Sequence, residues 1–205
     1  FQTDFKTIKK MKFSVSIVLL SLGCLALADN LPGCKDIAGS ESFDFSSFAG
    51  KQYRFKLLPD TEDTKPYVDA TLTIGKVADS SYITLIGNLN DGSQVNNQFV
   101  VDSVNGAQIF QTLLSDGVPT AVKRAYTVLD YQPNRYALLY LCGKELRKKY
   151  PDVDLRFVIV FGDVRLTREE TKAIRSADKK YNLRGKLVHI GSSRVNSNGL
   201  EDDEV

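Results

Sequence analysis

The chain has 205 residues, of which 42% are hydrophobic and 25% are charged, with 27 basic residues, 25 acidic residues and one histidine. Four of the basic residues and one of the acids lie in the first 28 positions, so the rest of the chain has a net charge near −1. This balance creates no strong field that would favour nucleic acid or an anionic membrane as a partner.

The only methionine, Met11, begins a segment with the features of a secretory signal peptide. A lysine precedes an apolar run, and Ala26-Leu27-Ala28 forms a small-residue cleavage site. Because the run is short, we expect it to be removed rather than to span a membrane. Residues 1–10 lie upstream of this leader. We therefore set residues 1–28 aside, place one domain at 29–190 and predict a secreted, extracellular protein.

Short apolar segments separated by turn residues follow one another along the domain. We predict strands at 52–58, 67–77, 81–89, 94–104, 107–114, the two halves of 121–142, and 153–166. Hairpin signals such as Asn90-Asp91-Gly92 and Asn105-Gly106 lie between them. Eight consecutive strands with short links predict an all-β protein, either an up-and-down antiparallel barrel or a sandwich.

The hairpin at 121–142 is apolar on both faces of its second strand. Tyr136, Leu138 and Tyr140 alternate with Ala137, Leu139 and Leu141. A strand with two apolar faces is covered on both sides, which favours a closed barrel over an open sheet.

The period changes after residue 166. Thr167 followed by Glu170 is typical of a capping box, and apolar residues recur at helical spacing as far as Tyr181. We predict one amphipathic helix at 167–182, packed on the barrel, and a short final strand at 186–190. The tail at 191–205 is rich in Ser, Asn and acidic residues, and we expect it to be disordered.

The chain has three cysteines, and Cys24 lies in the leader. Cys34 and Cys142 remain as a pair, which an oxidising compartment would join in a disulfide. The alternative is two unrelated buried thiols.

Enzymatic and metal-dependent functions find little support in the residue types. His189, the only histidine, falls on the predicted final strand, and no Ser-His-Asp set or Cys/His cluster can be assembled. We therefore predict no catalytic and no metal-binding residues. A basic cluster within residues 144–149 is interpreted as part of a solvated polar loop at 143–152.

Two segments resemble sequence motifs of the lipocalin family. Residues 43–55, FDFSSFAGKQYRF, resemble the family's Gly-x-Trp motif after an aromatic-rich turn. Residues 129–142, LDYQPNRYALLYLC, resemble its Thr-Asp-Tyr motif, which is followed by a strand that ends in cysteine. A cysteine in the N-terminal arm and one at the end of the seventh strand are similar to the branch that includes insect bilin-binding protein and apolipoprotein D.

Two positions depart from the family pattern. Gln52 stands where the family usually has a tryptophan, and the chain has no tryptophan. Asp163 lies near the place of the arginine that usually stacks on that tryptophan. We expect Tyr53 or Phe48 to close the end of the barrel instead.

The resemblance implies an eight-stranded lipocalin-like barrel with one C-terminal helix, open at one end as a cup. Its function would be that of a secreted, non-enzymatic carrier of a small hydrophobic ligand, such as a bilin, retinoid, sterol or fatty acid. Such a molecule would be the only cofactor. The alternative is a secreted protein-binding inhibitor or salivary-type effector with a filled barrel. A cell-surface receptor or protein target stays open as a second kind of partner.

In the family, the cysteine that ends the seventh strand faces outward, and this implies which side chains face the cup. The implied ligand-binding residues are Phe99, Phe110, Tyr126, Val128, Ala137, Leu139, Leu141, Phe157, Ile159 and Phe161. Ordinary core packing is the alternative for each of them. Arg124, on the inward phase, would meet an acidic head group of a ligand or form a salt bridge at the rim.

Overall fold

The structure, a computed structural model, describes residues 31–191. The predicted strands and the C-terminal helix follow one another in the predicted order, and two short helices are added to them. In chain order they are α1 (Phe45–Phe48), β1 (Gln52–Pro59), β2 (Tyr67–Val77), β3 (Ser80–Leu89), β4 (Gln94–Asn105), β5 (Gln108–Ser115), β6 (Val118–Gln132), β7 (Tyr136–Gly143), α2 (Lys144–Lys149), β8 (Arg156–Phe161), α3 (Arg168–Lys180) and β9 (Leu187–His189).

The strands form one antiparallel sheet that closes on itself. Strands β2 to β8 follow one another around the barrel, β8 pairs with β1, and β1 pairs with β2 to complete the ring. Strand β9 pairs with the second half of β1, at Leu57–Pro59. The prediction of an eight-stranded up-and-down barrel with one helix packed on it is confirmed, and the sandwich is wrong.

Every residue of β7 is buried, as its two apolar faces predict. Ala137, Leu139 and Leu141 belong to the hydrophobic cluster inside the barrel. Tyr136, Leu138, Tyr140 and Cys142 belong to a second cluster outside it, where the N-terminal arm and α3 cover the strand. The barrel wall here therefore lies between two apolar layers.

The predicted disulfide joins Cys34 to Cys142, with the two Cα atoms 5.9 Å apart and 108 residues apart in sequence. It ties the N-terminal arm to the outer face of β7. Asp154, which is fully buried, holds the same region by ion pairs to Lys35 at 2.9 Å and Arg147 at 3.2 Å.

Helix α3 begins at the predicted capping box. The Thr167 hydroxyl accepts a hydrogen bond from the Glu170 backbone N–H, and the Glu170 carboxylate accepts one from the Thr167 backbone N–H. Ile174 and Ala177 face the outer cluster on the barrel. Helix α3 is slightly shorter than the predicted helix at 167–182, and strand β9 is slightly shorter than the predicted strand at 186–190.

Two predictions about local structure are corrected. The charged run at 144–149 is helix α2 rather than a loop, because its Lys, Glu, Leu and Arg residues all favour helix and its basic end suits a helix C-terminus. Strand β8 covers Arg156–Phe161 and not 153–166, since Gly162 turns the chain with a φ of +60°.

The predicted leader and almost all of the predicted disordered tail lie outside the described residues. Within 31–191, no helix has the length and apolar character that crossing a membrane requires.

Candidate ligand-binding site

One end of the barrel is closed by four aromatic rings, which we call the basal plug: Phe43, Phe48, Tyr53 and Tyr131. The Phe48 ring centre lies 4.8 Å from that of Tyr53 and 5.8 Å from that of Tyr131, and the Phe43 and Phe48 centres are 5.4 Å apart. The Tyr53 hydroxyl donates to the Phe48 carbonyl at 3.3 Å, and the hydroxyls of Ser47 and Tyr131 are 2.9 Å apart. Helix α1 carries Phe48 across the barrel end.

The plug explains how the barrel closes without a tryptophan. Gln52 is exposed and its amide donates to Thr73 at 3.3 Å, so it has no part in the closure. Asp163 accepts a hydrogen bond from Arg54 at 2.5 Å on the outside. Phe48 and Tyr53, 1% and 0% exposed, both occupy the end of the barrel, where one or the other was expected.

Above the plug, apolar side chains from every strand of the ring line the interior. The buried members of this cluster, besides Phe48, Tyr53 and Tyr131, are Phe55, Leu58, Ala70, Leu72, Ile74, Ile83, Phe99, Ala107, Ile109, Tyr126, Val128, Ala137, Leu139, Leu141, Leu155 and Ile159. We call the barrel interior lined by these residues the cup.

Eight of the ten residues predicted to bind ligand lie in or against this lining. Seven are buried members of the cluster: Phe99, Tyr126, Val128, Ala137, Leu139, Leu141 and Ile159. Phe157 is partly buried against it, with its ring centre 5.6 Å from that of Phe55. The structure brings these side chains together, and their contact with a ligand stays a prediction.

The other two residues lie elsewhere. Phe110 alternates with Ile109, which is fully buried inside, so the Phe110 side chain is on the outer face of β5. Phe161 is the last residue of β8, at the basal end, where it is 36% exposed and its ring lies 5.7 Å from the Lys51 Nζ. Neither placement puts the ring inside the cup.

The inward face of β5 differs from the prediction, which placed Phe110 in the cup. The residues that face the cup are Ile109 and Gln111, both 0% exposed. A register signal existed: pairing β5 with β6 across the turn at 116–117 puts Ile109 opposite Tyr126. Neighbours on β2 and β3, such as Leu72 and Ile83, were also missed.

The end opposite the plug is less completely covered. Partly buried apolar residues surround it, namely Tyr67, Leu85, Val101, Leu113, Leu146, Tyr150 and Phe157. Tyr67 lies across Gly87, where an added Cβ would come within 2.1 Å of the ring. The barrel is therefore plugged at one end and lined by partly exposed apolar side chains at the other.

A polar group interrupts the apolar lining near this second end. The Arg124 guanidinium lies over the Phe99 ring, with Cζ 5.4 Å from the ring centre, and its Nε donates to the Glu145 carboxylate at 2.7 Å. Of the two alternatives for Arg124, the structure shows the salt bridge at the rim. Gln111 stands directly opposite Arg124 across the β5–β6 ladder.

The Gln111 amide is buried, and neither its nitrogen nor its oxygen makes a well-aligned hydrogen bond to another described group, although the Tyr126 hydroxyl lies close enough to interact with it. Beside it, burial raises the pKa of the Tyr126 hydroxyl, while the positive charge of Arg124 and the nearby Gln111 amide act in the opposite direction. Gln111, Arg124 and the Tyr126 hydroxyl thus place polar groups in a mainly apolar interior.

A separate groove of about 370 Å³ lies on the outer surface where β1, β9 and the start of α3 meet. It is lined by Lys56, Leu57, Arg165, Leu166, Thr171 and His189. None of these residues lines the cup. Among residues 31–191, no three His, Cys, Asp or Glu side chains are grouped in a way that would hold a metal ion.

Comparisons of sequence alone find no matching family model and no matching curated protein. Solved structures do match. The tryptamine complex of the amine-binding protein of Rhodnius prolixus has a TM-score of 0.59 at 14% identity, over 83% of this chain and 91% of that chain. The cockroach allergen Per a 4 has a TM-score of 0.57 at 11% identity, over 77% and 93%. Lobster apocrustacyanin A1 has 0.51 at 15%, over 70% and 77%.

The chain has a lipocalin-like fold. At these identities the likeness concerns the backbone architecture, and the side chains of the cup have to be assessed from this structure.

Proposed function

We propose that this protein is a secreted lipocalin that carries a small hydrophobic molecule in its cup. The observation that supports this most is the difference between the two barrel ends. Four packed aromatic rings close one end, and partly buried apolar side chains surround the other. An apolar cup with one accessible end suits an apolar ligand, because each square ångström of apolar surface removed from water contributes about 25 cal/mol.

The ligand class is a bilin, retinoid, sterol or fatty acid, as the resemblance implies. One structural neighbour is described as a complex with tryptamine, which supports small-molecule binding on this fold. It does not transfer its ligand to this chain, because function varies widely among proteins of one fold. We also propose that the protein belongs to the branch that includes bilin-binding protein and apolipoprotein D.

Secretion is supported by the Cys34–Cys142 disulfide, since such bonds persist in oxidising compartments. The leader with its cleavage site at Ala26-Leu27-Ala28 would direct export and leave with Cys24. A receptor for the loaded carrier would be a second partner. Catalysis has no place in this proposal.

Native mass spectrometry of the mature protein from its own source tests the proposal directly. We expect extra mass of a few hundred daltons that is released on denaturation. A bare protein that also fails to bind a panel of fatty acids, retinoids, sterols and tetrapyrroles would overturn the carrier function and favour the protein-binding effector.

A pair of variants places the bound molecule in the cup. Leu85 is partly buried against the interior cluster near the accessible end, whereas Val118 is 65% exposed at the start of β6. Leu85→Arg should abolish binding, because it puts a charge in the apolar entrance. Val118→Arg, the matched control, should bind as the wild type does. Equal binding by both variants would place the ligand outside the cup.

A further inference from the structure

We propose that the buried amide of Gln111 is the polar anchor of the cup, and that it selects ligands whose polar end both donates and accepts hydrogen bonds. Hydroxyl, carboxylic acid and primary amide groups have this property. The inference rests on the proposed carrier function and adds to it the chemistry of one end of the ligand.

An incompletely paired amide in the interior is energetically costly. Gln111 is 0% exposed, and neither Nε2 nor Oε1 of its side chain makes a well-aligned hydrogen bond to the described residues, although the Tyr126 hydroxyl lies close enough to interact with the amide. One hydroxyl cannot satisfy both polar atoms of an amide, which has two donor hydrogens and a carbonyl oxygen. Buried polar side-chain atoms in proteins are nearly always hydrogen-bonded, because the desolvation of an unpaired group is unfavourable. The Gln111 amide therefore needs a further hydrogen-bond partner from outside the chain.

The Gln111 amide lies on the inward face of β5. On β5, Gln111 follows Ile109 on the inward face, and Ile109 belongs to the interior cluster. Across the ladders Gln111 pairs with Val101 of β4 and Arg124 of β6. Its missing partner would thus be located inside the cup, towards the accessible end, where a ligand held in the cup would lie.

The two polar atoms of the amide determine which kind of partner fits it. Oε1 needs a donor and Nε2 needs an acceptor, so one group with both functions satisfies the amide completely. The nearby guanidinium of Arg124 carries a positive charge, and its Nε is already bound to Glu145. A permanent cation would leave Nε2 unpaired and would lie close to Arg124, so it is disfavoured.

Three probes with the same twelve-carbon chain separate these cases in calorimetric titrations of the complete mature protein. Dodecanamide donates and accepts, methyl dodecanoate only accepts, and dodecyltrimethylammonium does neither. We expect dodecanamide to bind best. Loss of one or two hydrogen bonds should weaken binding by about tenfold for the ester and more for the cation, since each net hydrogen bond contributes about a factor of ten.

Gln111→Leu keeps the size of the side chain and removes the amide. We expect the variant to lose the preference for dodecanamide over methyl dodecanoate, so that these two probes bind with affinities within about threefold of each other. Dodecyltrimethylammonium should stay weaker, because Arg124 is unchanged. Gln132→Leu makes the same chemical change at an exposed position at the end of β6 and should keep the wild-type preference.

The stability of the empty variant gives a second readout. If the amide has no partner without ligand, Gln111→Leu raises the melting temperature of ligand-free protein, because an unpaired polar group is removed from the interior. If an internal water pairs the amide permanently, the variant melts at a lower temperature.

The outcomes are distinct. A wild-type preference for dodecanamide that Gln111→Leu removes supports the anchor. Equal affinities of the wild type for all probes, or an unchanged preference in Gln111→Leu, would overturn the anchor and leave the carrier function intact. A lower melting temperature for ligand-free Gln111→Leu would also overturn it. No binding of any probe, together with the absence of bound mass in the native protein, would reject the carrier function itself.

Discussion

The Arg135 guanidinium binds the Glu170 carboxylate in a bidentate pair, with Nε to Oε1 at 2.5 Å and Nη2 to Oε2 at 3.0 Å. Arg135 lies in the β6–β7 turn at the basal end, and Glu170 is the capping-box residue of α3. Only 4% of the Glu170 side chain is exposed. The pair thus anchors the start of the helix that covers the outer face of β7.

Replacing Glu170 should loosen this helix. We expect Glu170→Gln to lower the free energy of unfolding by about 1–3 kcal/mol, because it removes charged hydrogen bonds and weakens the cap. Urea denaturation measures the change. Glu169→Gln, one residue earlier and exposed, should change stability by less than about 0.5 kcal/mol. Equal effects of the two variants would contradict a special role for the pair.

The same carboxylate should contribute to acid sensitivity. The hydrogen bonds from Arg135 lower the pKa of Glu170 to about 2, against an ordinary value of 4.5, although burial acts in the opposite direction. Because the folded-state pKa is lowered, the stabilisation is complete above pH 4.5 and is lost as the pH falls from 4.5 to about 2. The stability difference between wild type and Glu170→Gln should therefore shrink over this range. A difference independent of pH would contradict the assignment.

The disulfide should contribute strongly, because it closes a loop with a sequence separation of 108 residues. In the chain-entropy model such a loop is worth about 4–5 kcal/mol. We expect a reducing agent to lower the melting temperature of the wild type markedly. The Cys34→Ser/Cys142→Ser variant should melt at that lower temperature with or without the reductant. A wild type that is unaffected by reduction, with both thiols shown to be free, would contradict the prediction.

Much of the fold followed from periodicity and spacing. Turn residues between short apolar runs predicted the strands, and the two apolar faces of β7 predicted its complete burial. Helix α2 was not predicted, because its charged residues were interpreted as a solvated loop. Their high helix propensity is the stronger signal at 144–149.

The site was less predictable than the fold. On β5 both alternating faces offer bulky apolar residues, so Ile109 and Phe110 could not be distinguished without the pairing of β5 to β6. The inward position of Gln111 could not be predicted either, because its side chain is polar. A polar side chain normally indicates an outward face, and only the register places this amide in the interior.

We also expect the basal plug to contribute strongly to stability. Phe48→Ala should lower the free energy of unfolding by about 3–5 kcal/mol, because Phe48 is 1% exposed and its ring contacts the three other rings of the plug. Gln52→Ala should have little effect, since this side chain is exposed although it stands at the family's tryptophan position. Thermal denaturation compares the two. A larger loss for Gln52→Ala would mean that the closure depends on the family position after all.

The accessible end can be tested through Gly87. An added Cβ there would lie 2.1 Å from the Tyr67 Cε1 atom, so Gly87→Ala must displace the Tyr67 ring. We expect a loss of about 1–3 kcal/mol in the free energy of unfolding, as for other overpacked sites. In a Tyr67→Ala background, the Gly87→Ala change should cost almost nothing, because the ring that it displaces is absent.

Gly75→Ala is the matched control for this test, since an added Cβ at Gly75 meets no atom within 4 Å. Both glycines lie in the β2–β3 hairpin, so the loss of backbone freedom in the unfolded chain is similar for the two substitutions. The double-mutant cycle between Gly87 and Tyr67 then measures only the ring contact. A cost of Gly87→Ala that persists without the Tyr67 ring would show that strain in β3 itself, and not the position of the ring at the entrance, limits this site.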